Sequence, residues 1–164
     1  MNEIKSSRGG WMQQIASDIM RWQDATQDYD AAVGRRLDLN LAERRCIGAL
    51  VAGPLPAGAI AAAIDLTPAA VTALVDRLEK RGLVARTRDM EDRRKVLVEP
   101  TAAALDIGER YYGSIAREGE ALLSTFSEAE LETIARFTAA AVGLQEDELA
   151  RLRNAEPHDA QSGS

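Results

Sequence analysis

The chain has 164 residues, of which 46% are hydrophobic and only 4% aromatic, with one cysteine and one histidine. That length allows one domain with a real core or two small lobes, and an alanine-rich, aromatic-poor chain favours packed helices over a β-sandwich. Single copies of cysteine and histidine exclude a disulfide framework and leave no evident zinc site, and no run of roughly eighteen apolar residues marks a membrane span. The formal charge of −6 is unevenly spread: residues 67–95 hold eight basic and five acidic side chains, a local +3, while the other 12 basic and 21 acidic residues carry −9. A basic patch on an acidic body can still dock on phosphate, with a clear salt dependence.

The N-terminus carries Glu3, Lys5 and Arg8 without an apolar core, so it is not a secretory signal and a soluble cytoplasmic protein is expected. From Trp11 to about Gly34, the residues Trp11, Ile15, Ile19, Trp22, Tyr29 and Val33 fall near one helical face. Asn40 with Glu43 three residues on is a capping box for a second helix through Cys46, Ile47 and Leu50. The run Gly53–Pro54–Leu55–Pro56 breaks the chain, Ala57–Ile64 is a short alanine-rich helix, and Asp65–Leu66 is a turn. Thr67 is then an N-cap and Pro68 suits the first helical position, with Val71, Leu74, Val75 and Leu78 at helical spacing and Gly82 as the stop.

Leu83–Arg88 and Lys95–Val98 read as two short strands around a polar loop, Asp89–Arg94. Glu99–Pro100–Thr101 ends the hairpin and opens a helix whose apolar side includes Leu105, Tyr111, Tyr112, Ile115, Leu122, Leu123 and Phe126. Ser127 with Glu130 caps a last helix bearing Leu131, Ile134, Phe137, Val142, Leu144 and Leu149, and residues 154–164 are expected to be a disordered tail. Helix, turn, helix, glycine, strand, basic loop, strand is the layout of a winged helix-turn-helix, a mainly α fold with a small α+β module. Such a module sets one helix in a DNA major groove and a basic hairpin tip beside it. The expected organisation is a winged helix-turn-helix DNA-binding domain over 38–100, flanked by a helical dimerisation region over 8–34 and 102–153. Those long amphipathic helices need cover, and a homodimer presenting two reading helices about one DNA turn apart supplies it.

The segment Leu74-Val-Asp-Arg-Leu-Glu-Lys-Arg-Gly-Leu-Val84, followed by Asp92-Arg-Arg-Lys-Val-Leu-Val98, resembles the MarR family of bacterial transcription regulators. The resemblance extends over roughly Trp11 to Arg153, with the central module the specific part. It implies a homodimer joined through its N- and C-terminal helices, repression from a pseudopalindromic double-stranded operator, and release when a small aromatic or anionic molecule binds between those helices and the DNA lobe. Carried onto this chain, Thr67–Arg77 would be the recognition helix, with Thr67, Pro68, Ala69, Ala70, Thr72, Ala73 and Arg77 toward DNA. Arg86 and Arg93 would join the contact, and Arg94 would enter the minor groove, oriented by the charge-assisted hydrogen bond it donates to Asp92.

The family's recognition helix is more polar at its start than Ala69, Ala70 and Ala73 allow, so base readout should be thin and shape readout by the wing larger. Pro100 and Ala104 stand where the family commonly has leucine and glycine. For a small-molecule pocket the candidates are Trp11, Arg21, Trp22, Tyr111 and Tyr112, an aromatic wall with one cation that suits an aromatic carboxylate. Two other readings remain: a winged-helix adaptor that binds protein, and a redox-sensing regulator acting through Cys46, although a buried thiol there would be inert. No nucleophile–base arrangement, phosphate-cradling glycine loop or metal-spaced ligand set points to an enzyme, a cofactor or a metal.

Overall fold

The computed structural model describes residues 7–90, 92 and 94–155. Arg93 and the tail beyond residue 155 therefore lie outside the described residues. Helix α1 (Arg8–Leu37) begins at Ser7, whose hydroxyl accepts the Gly10 N–H at 3.2 Å. It runs past the glycine expected to end it. Gly34 stays helical and buried, and α1 stops where Asp38 turns left-handed at φ 51°. Two return bonds close that end, Leu39 N–H to Gly34 O at 2.9 Å and Asp38 N–H to Arg35 O at 3.4 Å, so a Schellman motif terminates the helix without a glycine.

Helix α2 (Leu41–Ala49) opens on the predicted capping box: Asn40 Oδ1 accepts the Glu43 N–H and Glu43 Oε2 accepts the Asn40 N–H, both at 2.9 Å. The Gly–Pro–Leu–Pro run does more than break the chain. Leu55–Pro56 is a two-residue strand, β1, that the sequence did not announce. Proline is tolerated at such a sheet edge because its missing N–H costs no ladder bond. Helices α3 (Ala57–Ile64) and α4 (Pro68–Lys80) follow, then β2 (Val84–Arg88) and β3 (Val96–Pro100). The sheet order is β1-β3-β2, all antiparallel, with Leu55 opposite Val98 and Arg86 opposite Val98 on the other side. The second wing strand is thus shifted toward Pro100 relative to the expected Lys95–Val98. Thr101 anchors the exit: its N–H reaches Leu83 O at 3.1 Å, its hydroxyl donates to Gly82 O at 2.6 Å and accepts the Ala104 N–H at 3.3 Å, opening α5 (Ala102–Leu123). Ala104 is buried in the core, which is where the small side chain fits.

That core is formed by Cys46 of α2 and Leu50 at its C-cap, Ile60 and Ile64 of α3, the Val71, Leu74, Val75 and Leu78 stripe of α4, and Val84 and Val98 of the sheet. It holds α4 and the wing in one rigid lobe. Chain contacts divide the protein into residues 1–112 and 113–164. In the second unit, helix α6 (Glu128–Asn154) is capped by Glu130, whose carboxylate accepts the Ser127 N–H at 2.8 Å and hydroxyl at 2.6 Å. The apolar faces expected on α1, α5 and α6 exist, but the chain leaves them open: Trp22 is 69% exposed, Leu144 64% and Leu152 74%. Among the described residues no single helix is long and apolar enough to cross a membrane.

Candidate nucleic-acid interface

Because α4 buries Val71, Leu74, Val75 and Leu78, helical periodicity turns Ala69, Ala73, Asp76 and Lys80 away from the core, flanked by Pro68, Ala70, Thr72 and Arg77. All eight are exposed. Thr67 caps the helix by accepting the Ala70 N–H at 3.3 Å, and the Thr72 hydroxyl donates to Pro68 O at 3.0 Å. Both hydroxyls are thus partly committed to the backbone.

The cations around this helix are mostly spoken for. Arg77 Nε lies 3.5 Å from Glu43 Oε1, a carboxylate only 8% exposed that also caps α2. The Arg81 guanidinium donates to Asp38 O at 2.6 Å and Leu37 O at 2.7 Å, satisfying two carbonyls at the end of α1. Arg86 bridges back from β2 to α4, bonding Asp76 at 2.6 Å and also Glu79; the Asp76 bond holds the guanidinium firmly in its charged form. Of the expected DNA contacts, Arg77 and Arg86 therefore carry charge that is locally balanced.

The wing tip differs. Arg88 and Arg94 are exposed, and neither takes part in an ion pair among the described residues. The loop is pinned by its own backbone: Asp89 N–H to Lys95 O at 3.1 Å and Lys95 N–H to Asp92 O at 2.8 Å. Asp92 Oδ1 accepts the backbone N–H of Arg94 at 3.1 Å, and Lys95 Nζ sits 4.0 Å from its other oxygen. Asp92 thus orients the main chain at Arg94 rather than its guanidinium, a correction to the expected contact. Arg88 is the residue that sequence reasoning passed over; it shares a strand face with Arg86, and both are exposed toward the end of β2.

A cavity of about 640 Å³ lies between α1, α2 and the start of α5. Its wall is mostly aliphatic, including Val33, Leu37, Ile47 and Ile107, with Asp30, Arg44, Arg45, Glu109 and Tyr112 as polar points. The Tyr112 hydroxyl donates to Asp30 at 2.9 Å, and burial together with that bond pushes the phenol up to about 12. Arg44 Nε is buried without a hydrogen-bond partner among the described residues. Of the five expected pocket residues only Tyr112 lines this cavity. Trp11 and Trp22 are exposed on α1, Arg21 pairs with Asp18 at 3.1 Å, and Tyr111 offers its carbonyl to the Tyr29 hydroxyl. Cys46 lies in the core, where burial pushes its thiol up to about 11. Among the described residues no group of three or more His, Cys, Asp or Glu side chains could hold a metal ion.

A short α3–α4 pair followed by a two-stranded wing with exposed arginines defines a winged helix-turn-helix protein. Residues 50–96 match the sequence profile of the MarR family. Two curated relatives from Bacillus subtilis (strain 168) carry the name "uncharacterized HTH-type transcriptional regulator": YcgE, 39% identical over 102 residues, and YhbI, 29% identical over 94. Those matches cover 62% and 57% of this chain, and they span 66% and 61% of the relatives' own lengths. The fold is that of the YusO protein from Bacillus subtilis (24% identity, TM-score 0.54) and of the transcriptional regulator Tm0710 from Thermotoga maritima (20% identity, TM-score 0.58). Each likeness covers 84% of this chain, with 99% and 98% of the respective neighbour. Over its central segment the chain is similar to MarR-family transcriptional regulators, and its fold is theirs.

Proposed function

We infer that this protein is a cytoplasmic DNA-binding regulator that works as a homodimer, represses from a pseudopalindromic operator and is released by a small ligand. It is a binding protein, with residues 38–100 as the reading lobe and the helices of 8–34 and 102–153 as the dimerisation region. The observation that carries the reading is the pairing of an outward α4 face with a wing whose Arg88 and Arg94 are exposed and unpaired among the described residues, on a chain that is otherwise acidic. A guanidinium at a hairpin tip suits the deep negative potential of a narrow minor groove. Uncovered apolar faces on α1, α5 and α6 support the dimer, because large exposed patches mark association surfaces.

The aliphatic cavity supports release by a ligand with an apolar body and a negative charge. Of the two lining arginines, Arg44 and Arg45, Arg44 would meet the charge in place of the expected Arg21, because its Nε is buried without a hydrogen-bond partner among the described residues. The test is fluorescence anisotropy on duplexes covering the gene's own upstream region at several salt concentrations. A preferred duplex bound with a strong salt slope, and displaced by an aromatic carboxylate in the wild type but not in Arg44→Met, is the expected result. Equal, weak affinity for every duplex at low salt would remove the DNA role.

A further inference from the structure

We propose that the reading face of α4 recognises thymine methyl groups: Ala69 and Ala73 each take up one C5-methyl, so each half-site carries two thymines about two base-pair steps apart. This rests on the DNA-binding reading above and specifies the chemistry of its target. The N-terminal turns of a recognition helix are the part that meets base edges. Reading guanine there calls for Arg or Lys, adenine for Asn or Gln, and cytosine for an acid, whereas thymine alone offers an apolar group in the major groove. Over residues 67–75, α4 and its cap hold no charged or amide side chain, only the hydroxyls of Thr67 and Thr72. Its exposed apolar residues are Pro68, Ala69, Ala70 and Ala73, beside the exposed Thr67 and Thr72.

The next turn adds no free base-reading polar group close by. Asp76 and Glu79 are held by Arg86, Arg77 faces Glu43 and Arg81 clasps the end of α1. Lys80 is the α4 cation outside these pairs, about 10 Å further along the axis than Ala73. Arg86 has a second effect: its single positive charge offsets part of the negative charge of Asp76 and Glu79 that would otherwise repel phosphate from this face. Ala69 and Ala73 stand one turn apart on the outermost line, about 6 Å along the axis. That separation is close to two base-pair steps of roughly 3.4 Å each.

The experiment begins with selection of bound duplexes from a random library by the full-length protein. The best duplex is then resynthesised with deoxyuridine replacing thymine at one position at a time, which deletes only the methyl. Two thymines per half-site should each lose about fourfold in affinity, the ratio equivalent to ~0.8 kcal/mol for one buried methyl-sized group. In Ala69→Ser or Ala73→Ser, both exposed and mild changes, one of the two sensitivities should vanish while circular dichroism stays unchanged. A selected duplex indifferent to every uracil overturns the methyl reading and leaves DNA binding standing. Sensitivity that survives in both serine variants assigns the methyls to another element and overturns it equally. A library that yields no preferred sequence instead sinks the DNA-binding reading itself.

Discussion

Arg94 is the residue on which the proposed DNA contact turns. Its side chain is exposed and its backbone is fixed by Asp92, so removing the guanidinium leaves the hairpin intact. Arg94→Ala should therefore weaken operator binding by ~1–3 kcal/mol with an unchanged melting curve, read by anisotropy and calorimetry. Gly34 tests close approach instead of charge. A Cβ there would lie 2.7 Å from Arg44 Nε and 2.9 Å from the Leu39 carbonyl oxygen, and the latter belongs to backbone that cannot swing aside. Glycine to alanine inside a helix ordinarily gains ~1 kcal/mol. Here overpacking outweighs that gain, and Gly34→Ala should lower stability by about 1–3 kcal/mol in urea titration.

Cys46 bears on redox chemistry at the same scale. Burial raises its thiol to about 11, above the usual value, so the folded protein holds the proton where an unfolded chain would lose it. The associated stabilisation is complete below the unfolded value near 9 and fades as pH climbs through 11. At pH 8 a thiol reagent such as Ellman's should label Cys46 only in denaturant. Rapid labelling of native protein would restore the redox reading.

Among the elements, the corner between α1 and α2 ties the cavity wall to the reading helix. Leu37 and Leu39 line the cavity, while the carbonyls of Leu37 and Asp38 receive the Arg81 guanidinium from the end of α4. Glu43, which caps α2, faces Arg77 one turn earlier on α4. Hydrogen bonds to charged donors are worth ~1.5–3 kcal/mol when sheltered and less where water competes. Arg81→Met should accordingly cost about 1 kcal/mol, a fall of roughly 2–4 °C in the melting midpoint for a chain of this size. Faster amide exchange at Leu39 should accompany it; unchanged exchange there would show that Arg81 does not hold the corner.

These elements also show how far the chain's own pattern reaches. The caps at Asn40, Thr67 and Ser127 were readable because each satisfies orphan N–H groups through a side chain a few residues away, a wholly local bargain. The α1 terminus was misread for the converse reason: Gly34 looks like a stop, yet it is glycine so that Arg44 can pass, a contact made from another helix. Strand β1 was invisible because two residues carry no periodicity; Leu55 is a strand only because Val98 lies beside it. The ion pairs of Arg77 and Arg86 were not legible because their partners Glu43, Asp76 and Glu79 are brought to them by packing.

For the whole molecule, the open faces of α1, α5 and α6 set the expectation. Trp11, Trp22, Leu144 and Leu152 are exposed, and large exposed apolar patches commonly mark association surfaces. Light scattering at micromolar concentration should give ~36 kDa, twice the 17.8 kDa chain mass. A stable 17.8 kDa species would remove the dimer and, with it, the paired half-sites.

Amino-acid order alone determined the succession of helices from α1 to α6, the glycine-stopped α4 and the charged hairpin, because caps, helical spacing and turn residues act over three or four positions. Tertiary packing decided which charges stay available: it committed Arg77, Arg81 and Arg86 to partners and left Arg88 and Arg94 exposed at the wing tip. It also placed the cavity at Arg44 and Tyr112 rather than along the tryptophans of α1. The physical reason is the same in each case. A side chain's surroundings are set by segments tens of residues away, and no local pattern carries that information.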